Sequence, residues 1–436
     1  MSDASLAPLS PHSFDREAAA HLLRRLQFGV RPDEIERALA EGLDATLERL
    51  LTVQPESAEF QRGEAALRQT AYAASSIVSL KSWWLYRMLH SSNALREKLT
   101  LLWHNHFATS YAKVNNVPQM AAQNDLFRRH AAGDFHELLH AVARDPAMLV
   151  WLDGNANRRR HPNENFAREV MELFALGIGN YTEHDIQEAA RAFTGWQLRD
   201  GAFWFNAAQH DAGTKTVFGK SGQFEGNAII DLCLEHPACP RFLALKILRM
   251  FVTDQPVESL IAKVAAALTR SKLNVKPALR ELFASAEFFA PEHRVGLIKS
   301  PVDLVVGTLR TSATRITLPA AAEVLARLGQ DLFEPPTVKG WEGGRQWMQT
   351  STWILRWNFA TELIDGRGNL ATLRSELWSD GKDQPDAWEL AYLGRVQPEV
   401  RASIAMHWES TASMTAEERA RSVLRFLWTL PEYQLG

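Results

Sequence analysis

The chain has 436 residues, 46% apolar and 23% charged, with 48 basic against 51 acidic side chains and a formal charge of -3. That length accommodates two or three domains or one large core, and the composition excludes long disorder and fibrous repeats. The near-neutral balance excludes a global field that would gather nucleic acid, and no apolar run is long enough to cross a bilayer, so neither nucleic acid nor membrane is expected as a partner.

Met1 to Phe14 carries prolines and serines but no basic stretch ahead of an apolar run. No secretory signal is visible, and a cytoplasmic location is expected. Residues 1–12 read as a flexible tail. From Ser13 to Leu51 apolar residues recur at helical spacing (Leu22, Leu26; Ile35, Leu39; Leu43, Leu47, Leu51), interrupted at Gly29 and Pro32. Helical periodicity continues through 65–89, 95–107, 119–132 and 135–143.

Within LLWHNHF, His104 and His106 are one residue apart, as metal ligands on an extended strand can be. Helical geometry separates them. If Leu95, Leu99, Leu102 and His106 share a face, His104 lies roughly 160° away beside Glu97. At most one of the two reaches a site; His104 is kept as the candidate ligand, and His106 reads as a core histidine.

After the polar loop DGNANRRRHPN (Asp153–Asn163), PNENFAREVMELFALGIG predicts a helix from Asn163 to Gly177. At 100° per residue Asn165, Arg168, Glu169, Glu172 and Leu176 fall on one arc, opposite Phe166, Val170, Leu173 and Phe174. Neighbouring carboxylates can ligate a divalent cation or act as an acid/base pair, with the arginine and the amide orienting them. The same spacing also describes a solvated stripe with an Arg168–Glu172 surface pair.

YTEHDIQEAARAFTGW predicts a second helix, opened by a Thr182–Asp185 capping box and closed at Gly195. His184, Glu188 and Arg191 share one of its faces. Strand signals follow at Ala202–Asn206 and Lys215–Phe218, which together predict one short hairpin inserted near 201–223. The turn places His210 and Asp211 as catalytic candidates, His210 as a proton carrier or ligand, and Lys215 as an anion contact; glycine spacing around Lys220 is wrong for a phosphate-binding loop.

Helical periodicity resumes from 227 to 312. Cys233 and Cys239 are the only cysteines, too few for a disulfide framework, and read as reduced and buried. VKGWEGGRQWMQTST then forms a glycine-rich loop in which Trp341 and Trp347 offer flat surfaces and Lys339 a charge for a ligand. The fold class expected is mainly α: a large helical body over 13–376 bearing the short hairpin, then a helical C-terminal extension over 377–436.

Several of these segments, LLRRLQFG (Leu22–Gly29), LLWHNHFATS, LDGN followed by PNENFARE, YTEHDIQEAARAFTGW, HDAGTKT, KSP (Lys299–Pro301) and VKGWEGG, resemble motifs of the bacterial domain of unknown function 1800 family. The resemblance runs from about His21 to about Thr361. It implies that Asn165, Arg168, Glu169 and Glu172 belong to a recurring site rather than a solvated stripe. It also implies a partner of the alkaline-phosphatase-like or sulfatase-like kind, since such proteins are often encoded beside this family.

The expected function is a hydrolase-type acid/base or metal-assisted enzyme acting on a polymeric or glycan-like substrate. In it Glu169 and Glu172 are the acid/base or metal-binding carboxylates, Arg168 orients them, and His104 or His210 serves as ligand or proton carrier. The alternatives are a binding or assembly protein whose central charges form a structural salt-bridge network, and an anion receptor using Lys215, Lys339 and Arg168.

Overall fold

The computed structural model describes residues 5–294, 296–312, 314, 316–366 and 385–436. Helices dominate, and many begin where a short polar side chain replaces the missing intrahelical acceptor. Asp15 caps Arg16–Leu26, Ser57 caps Ala58–Ala73, Ser76 caps Ile77–His90 and Asp134 caps Phe135–Ala143. The Thr182–Asp185 capping box expected from the sequence opens the helix Glu183–Ala192.

Their apolar faces close around two main cores. One gathers Leu22 and Leu26, Trp103, Phe135, Phe174, Ile186 and the helices between Gly226 and Phe283. The other gathers Trp83 and Trp84, Val305, Phe359, Leu424 and Trp428. The helix Ala94–His106 serves both: Leu95, Leu99, Leu102 and Trp103 face the first core while Leu101 enters the second. Segments distant in sequence therefore meet along its length. The C-terminal helices Pro398–Ser410 and Ala416–Thr429 help to build the second core through Ile404, Leu424 and Leu427, whereas the expected boundary at 376/377 lies outside the described residues.

The chain is mainly α with short β structure, as expected, but the two expected strands do not pair with each other. Ala202–Phe205 pairs antiparallel with Trp196–Arg199, and Lys215–Val217 with Lys220–Gly222. Each forms its own two-residue hairpin because Asp200-Gly201 and Phe218-Gly219 both take positive φ (53° and 79°; 51° and 74°), the backbone that primed turns require.

The predicted helix of residues 163–177 also departs from a regular α-helix. It is α over Asn165–Glu169 and a π-helix over Val170–Ala175, with the Leu176 N–H donating to Met171 O at 2.9 Å. A π-turn widens the winding and shifts the phase of everything after it. Leu176, placed on the polar arc by uniform 100° steps, is accordingly buried at 2% exposure. Among the described residues no helix is long and apolar enough to cross a membrane.

Candidate functional site

The π-turn organises the carboxylate face. Arg168 makes no pair with Glu172; it bonds Glu164 at 3.0 Å and Glu183 at 2.8 Å, tying its own helix to the start of Glu183–Ala192. Glu172 instead accepts a 2.7 Å hydrogen bond from the Tyr181 hydroxyl. Glu169, partly exposed, has no hydrogen-bond or ion-pair partner among the described residues. Burial raises its pKa above the ordinary glutamate range, the neighbouring Glu172 raises it further, and Arg168 and Lys339 oppose the shift. Asn165 is exposed, and its backbone N–H donates to Asn163 Oδ1 at 2.9 Å.

The second polar stripe is an anchoring network. Arg191 bonds Glu188 and Asp211, each at 2.8 Å. Glu188 accepts the Thr216 N–H at 2.9 Å, and Asp185 accepts that of Phe218 at 2.7 Å, so the helix grips the second hairpin. Lys215 is buried with Nζ donating to the carbonyls of Asp211 and Gly213 at 2.5 and 3.0 Å. His210 Nδ1 lies 2.9 Å from Thr194 O. His210, Asp211 and Lys215 thus make a unit of their own, with no hydrogen bond or ion pair to Glu169 or Glu172 among the described residues.

His104 and His106 are both buried, on different sides of their helix. His104 is enclosed by Trp84, Phe127, Phe333 and Trp341, and burial pushes its pKa to about 3. His106 meets Phe174 O at 3.0 Å through Nε2, and burial, with Lys246 nearby, likewise pushes its pKa down to about 3. Both are neutral at ordinary pH. His104 does not join Glu169 and Glu172 in a ligand set; the cluster of three metal-type donors found among the described residues is His136, His140 and Asp231.

Trp341 and Trp347 are 5% and 8% exposed, so they are packed walls rather than an open stacking platform. The cavity they help to wall has a volume of about 640 Å³ and is lined by segments far apart in the chain. The first helix contributes Arg24 and Arg25, the Ala94–His106 helix Lys98 and His106, the KSP turn Lys299 and Asp303, and the glycine loop Lys339 and Arg345. With Lys246 and Arg249, eight cationic side chains face three carboxylates, Asp254, Asp303 and Glu342.

Such an excess is costly where the wall is buried, as at Arg24, Arg25 and Lys98, because those charges lose hydration, whereas Arg249, Lys339 and Arg345 stay exposed. Lys98 recovers part of that cost from Asp303, at 3.0 Å, and from Gln27 O, at 3.1 Å. Arg24 donates to Leu435 O at 2.9 Å. Lys299 donates to Tyr433 O at 2.6 Å, and burial holds its pKa well below the ordinary lysine range. Arg25 fares worst: its Nη2 bonds His293 O, but Nε and Nη1 are buried without a hydrogen-bond partner. Burial first, and Arg24 second, lower its pKa to about 9, which still leaves it charged at neutral pH.

Among the residues singled out from sequence, the structure brings together Glu169, Glu172 and, through its charge, Lys339, which lines the cavity; Trp341 and Trp347 line it too. Sequence reasoning missed Arg24, Arg25, Lys98, Lys299, Lys246 and Tyr181. Two adjacent arginines inside the otherwise apolar HLLRRL were the available signal for the first pair.

A family model described as "Protein of unknown function (DUF1800)" matches residues 21–435. No curated protein and no solved structure matches the chain.

Proposed function

The chain belongs to the DUF1800 family, whose description assigns no activity, and from its site we propose an acid/base enzyme of hydrolase type for a substrate bearing an anionic group. The observation that carries this reading is the excess of cationic over acidic side chains lining the cavity of Arg24 and Arg25, with Lys339 linking it electrostatically to a carboxyl that has no hydrogen-bond or ion-pair partner among the described residues. The anionic group of the substrate sits among the arginines, which match carboxylate, sulfate or phosphate oxygens with paired N–H donors.

In this reading the reacting bond lies at Glu169 and Glu172. Glu169, with its raised pKa, delivers a proton to the leaving oxygen. Glu172, oriented by the Tyr181 hydroxyl, accepts one from the attacking water. The polymeric or glycan-like substrate expected from sequence narrows to an acidic one. A phosphatase-like or sulfatase-like partner would handle the same anions.

The structural alternative fits the other stripe: Arg191, saturated by Glu188 and Asp211, holds a hairpin and has no ligand role here.

The test combines calorimetric titration of sulfate and phosphate with a screen of acidic glycosides, phosphate esters and sulfate esters. Wild type is expected to bind one of the two anions, and Arg25→Gln to bind it at least about tenfold more weakly, the loss of one charge-assisted contact. On a turned-over substrate Glu169→Gln is expected to lower kcat by roughly 10²–10⁴ with KM little changed. Wild-type protein that binds neither anion would sink the proposal.

A further inference from the structure

Away from this site, on the surface formed by the helices Phe135–Ala143 and Gly226–Glu235, three side chains converge that play no part in the reading above. His136 and His140 are four residues apart on one helix, so their imidazoles project from the same face, with ring centroids 4.6 Å apart. Asp231 reaches them from the other helix. Its Oδ1 lies 3.1 Å from His136 Nε2 and 2.7 Å from His140 Nε2. All three donor atoms fall within 4.8 Å of one another.

We propose that His136, His140 and Asp231 form a binding site for a divalent transition-metal ion, zinc in particular, which staples these two helices and keeps an open position towards solvent. The geometry suits an ion: one carboxylate oxygen and two imidazole nitrogens from two helices point at a common spot. A single dication can accept a lone pair from all three donors once the imidazoles present their unprotonated nitrogens.

The spacing suits such an ion. Zinc holds imidazole nitrogen at about 2.0–2.1 Å and carboxylate oxygen at about 2.0–2.2 Å, which separates neighbouring donors by roughly 3 Å. The nitrogen–oxygen separations here, 2.7 and 3.1 Å, need only slight opening. Two imidazoles and one carboxylate select zinc, nickel or copper over magnesium and calcium, which prefer all-oxygen sites. His136 and Asp231 are about half exposed, at 52% and 45%, so an ion enters from solvent and its remaining coordination is completed by water.

The test is calorimetric titration of zinc chloride into full-length, tag-free protein stripped of metal, with magnesium chloride as the contrast. Wild type is expected to take up one equivalent of zinc and no magnesium, and to melt at a higher temperature when loaded. Asp231→Asn and His136→Ala are each expected to weaken zinc binding roughly tenfold or more, the effect of disturbing one ligand. His136 is exposed and packs against no core, so its variant reads the site even if Asp231→Asn proves unstable. Either absence of zinc uptake by wild type, or wild-type affinity in His136→Ala, overturns the proposal.

Discussion

Asn105 grips the backbone of Trp341 from both sides: its Oδ1 accepts the Trp341 N–H at 2.7 Å and its Nδ2 donates to the Trp341 carbonyl at 3.2 Å. A side chain on the Ala94–His106 helix thereby supplies the loop with the pairing that a neighbouring strand would otherwise give. It fixes Trp341 as a wall of the cationic cavity and leaves Lys339 on its rim. Gly340 makes the approach feasible, since its φ is +78° and a Cβ there would lie 2.2 Å from Asn105 Oδ1.

Gly340→Ala and Asn105→Ala should therefore release the loop. Each is expected to cost about 1–3 kcal/mol in urea unfolding, from positive-φ strain in one case and unsatisfied backbone groups in the other. Both should also weaken sulfate or phosphate binding. Wild-type anion affinity in both variants would show that the loop does not shape the cavity.

Glu169→Gln is expected to gain up to about 1 kcal/mol of stability at pH 7, a modest figure because the group is partly exposed. A carboxyl with a raised folded pKa is destabilising when ionised, and that penalty disappears as pH falls through the folded pKa towards 4.5. The advantage of the variant over wild type should thus be present at pH 7 and vanish below pH 4.5. Denaturant titrations at the two pH values check it; a variant less stable than wild type at pH 7 would assign Glu169 a structural role.

Arg191→Ala should cost about 2–4 kcal/mol, because it strands Glu188 and Asp211, both largely buried, and loosens the second hairpin. Hydrogen bonds from Arg191 help to hold both carboxyls below their ordinary pKa against the opposing effect of burial. Their contribution is complete above the unfolded values near 4 and is lost as pH falls through the lower folded ones. Acid unfolding monitored by circular dichroism should consequently begin at higher pH in the variant. Anion binding should be unchanged, and its loss would mean that the two polar groups act as one site.

Lys246 lines the cavity, and burial, reinforced by Arg249, lowers its pKa to about 8. Raising pH from 7 to 8.5 discharges most of it, ahead of Arg25 and Arg24, whose pKa values of about 9 and about 10 lie higher. Anion affinity should fall across that interval by roughly the tenfold expected for one lost charge contact, and Lys246→Met should remove the step. A pH-independent affinity between 7 and 8.5 would place the bound anion away from Lys246.

Much of the helical body was legible in the sequence because apolar spacing and caps act locally: residues 135–143 and the Thr182–Asp185 box emerge as read. The hairpins were misread because Phe218-Gly219 carries no obvious turn signature and Asp200-Gly201 was passed over. The carboxylate pair was visible, since Glu169 and Glu172 stand three residues apart on one helix. Its surroundings were not. Arg25 and Lys299 are separated by most of the chain, and no periodicity states that KSP and HLLRRL meet. Nor does local spacing reveal that Arg168 prefers Glu183 to Glu172.

The wide turn over Val170–Ala175 accommodates one residue more than an α-helix would need for the same rise. Deleting a single residue there gives the segment a route back to ordinary winding, with the flanking helices still able to dock. If the residue lost lies between Glu169 and Glu172, the two carboxyls become two positions apart and point roughly 160° away from each other instead of sharing a face. This stretch is consequently a place where the chain can shed a residue and keep its fold while separating Glu169 from Glu172, so the length of the segment, independently of its composition, decides whether the two carboxyls stand together.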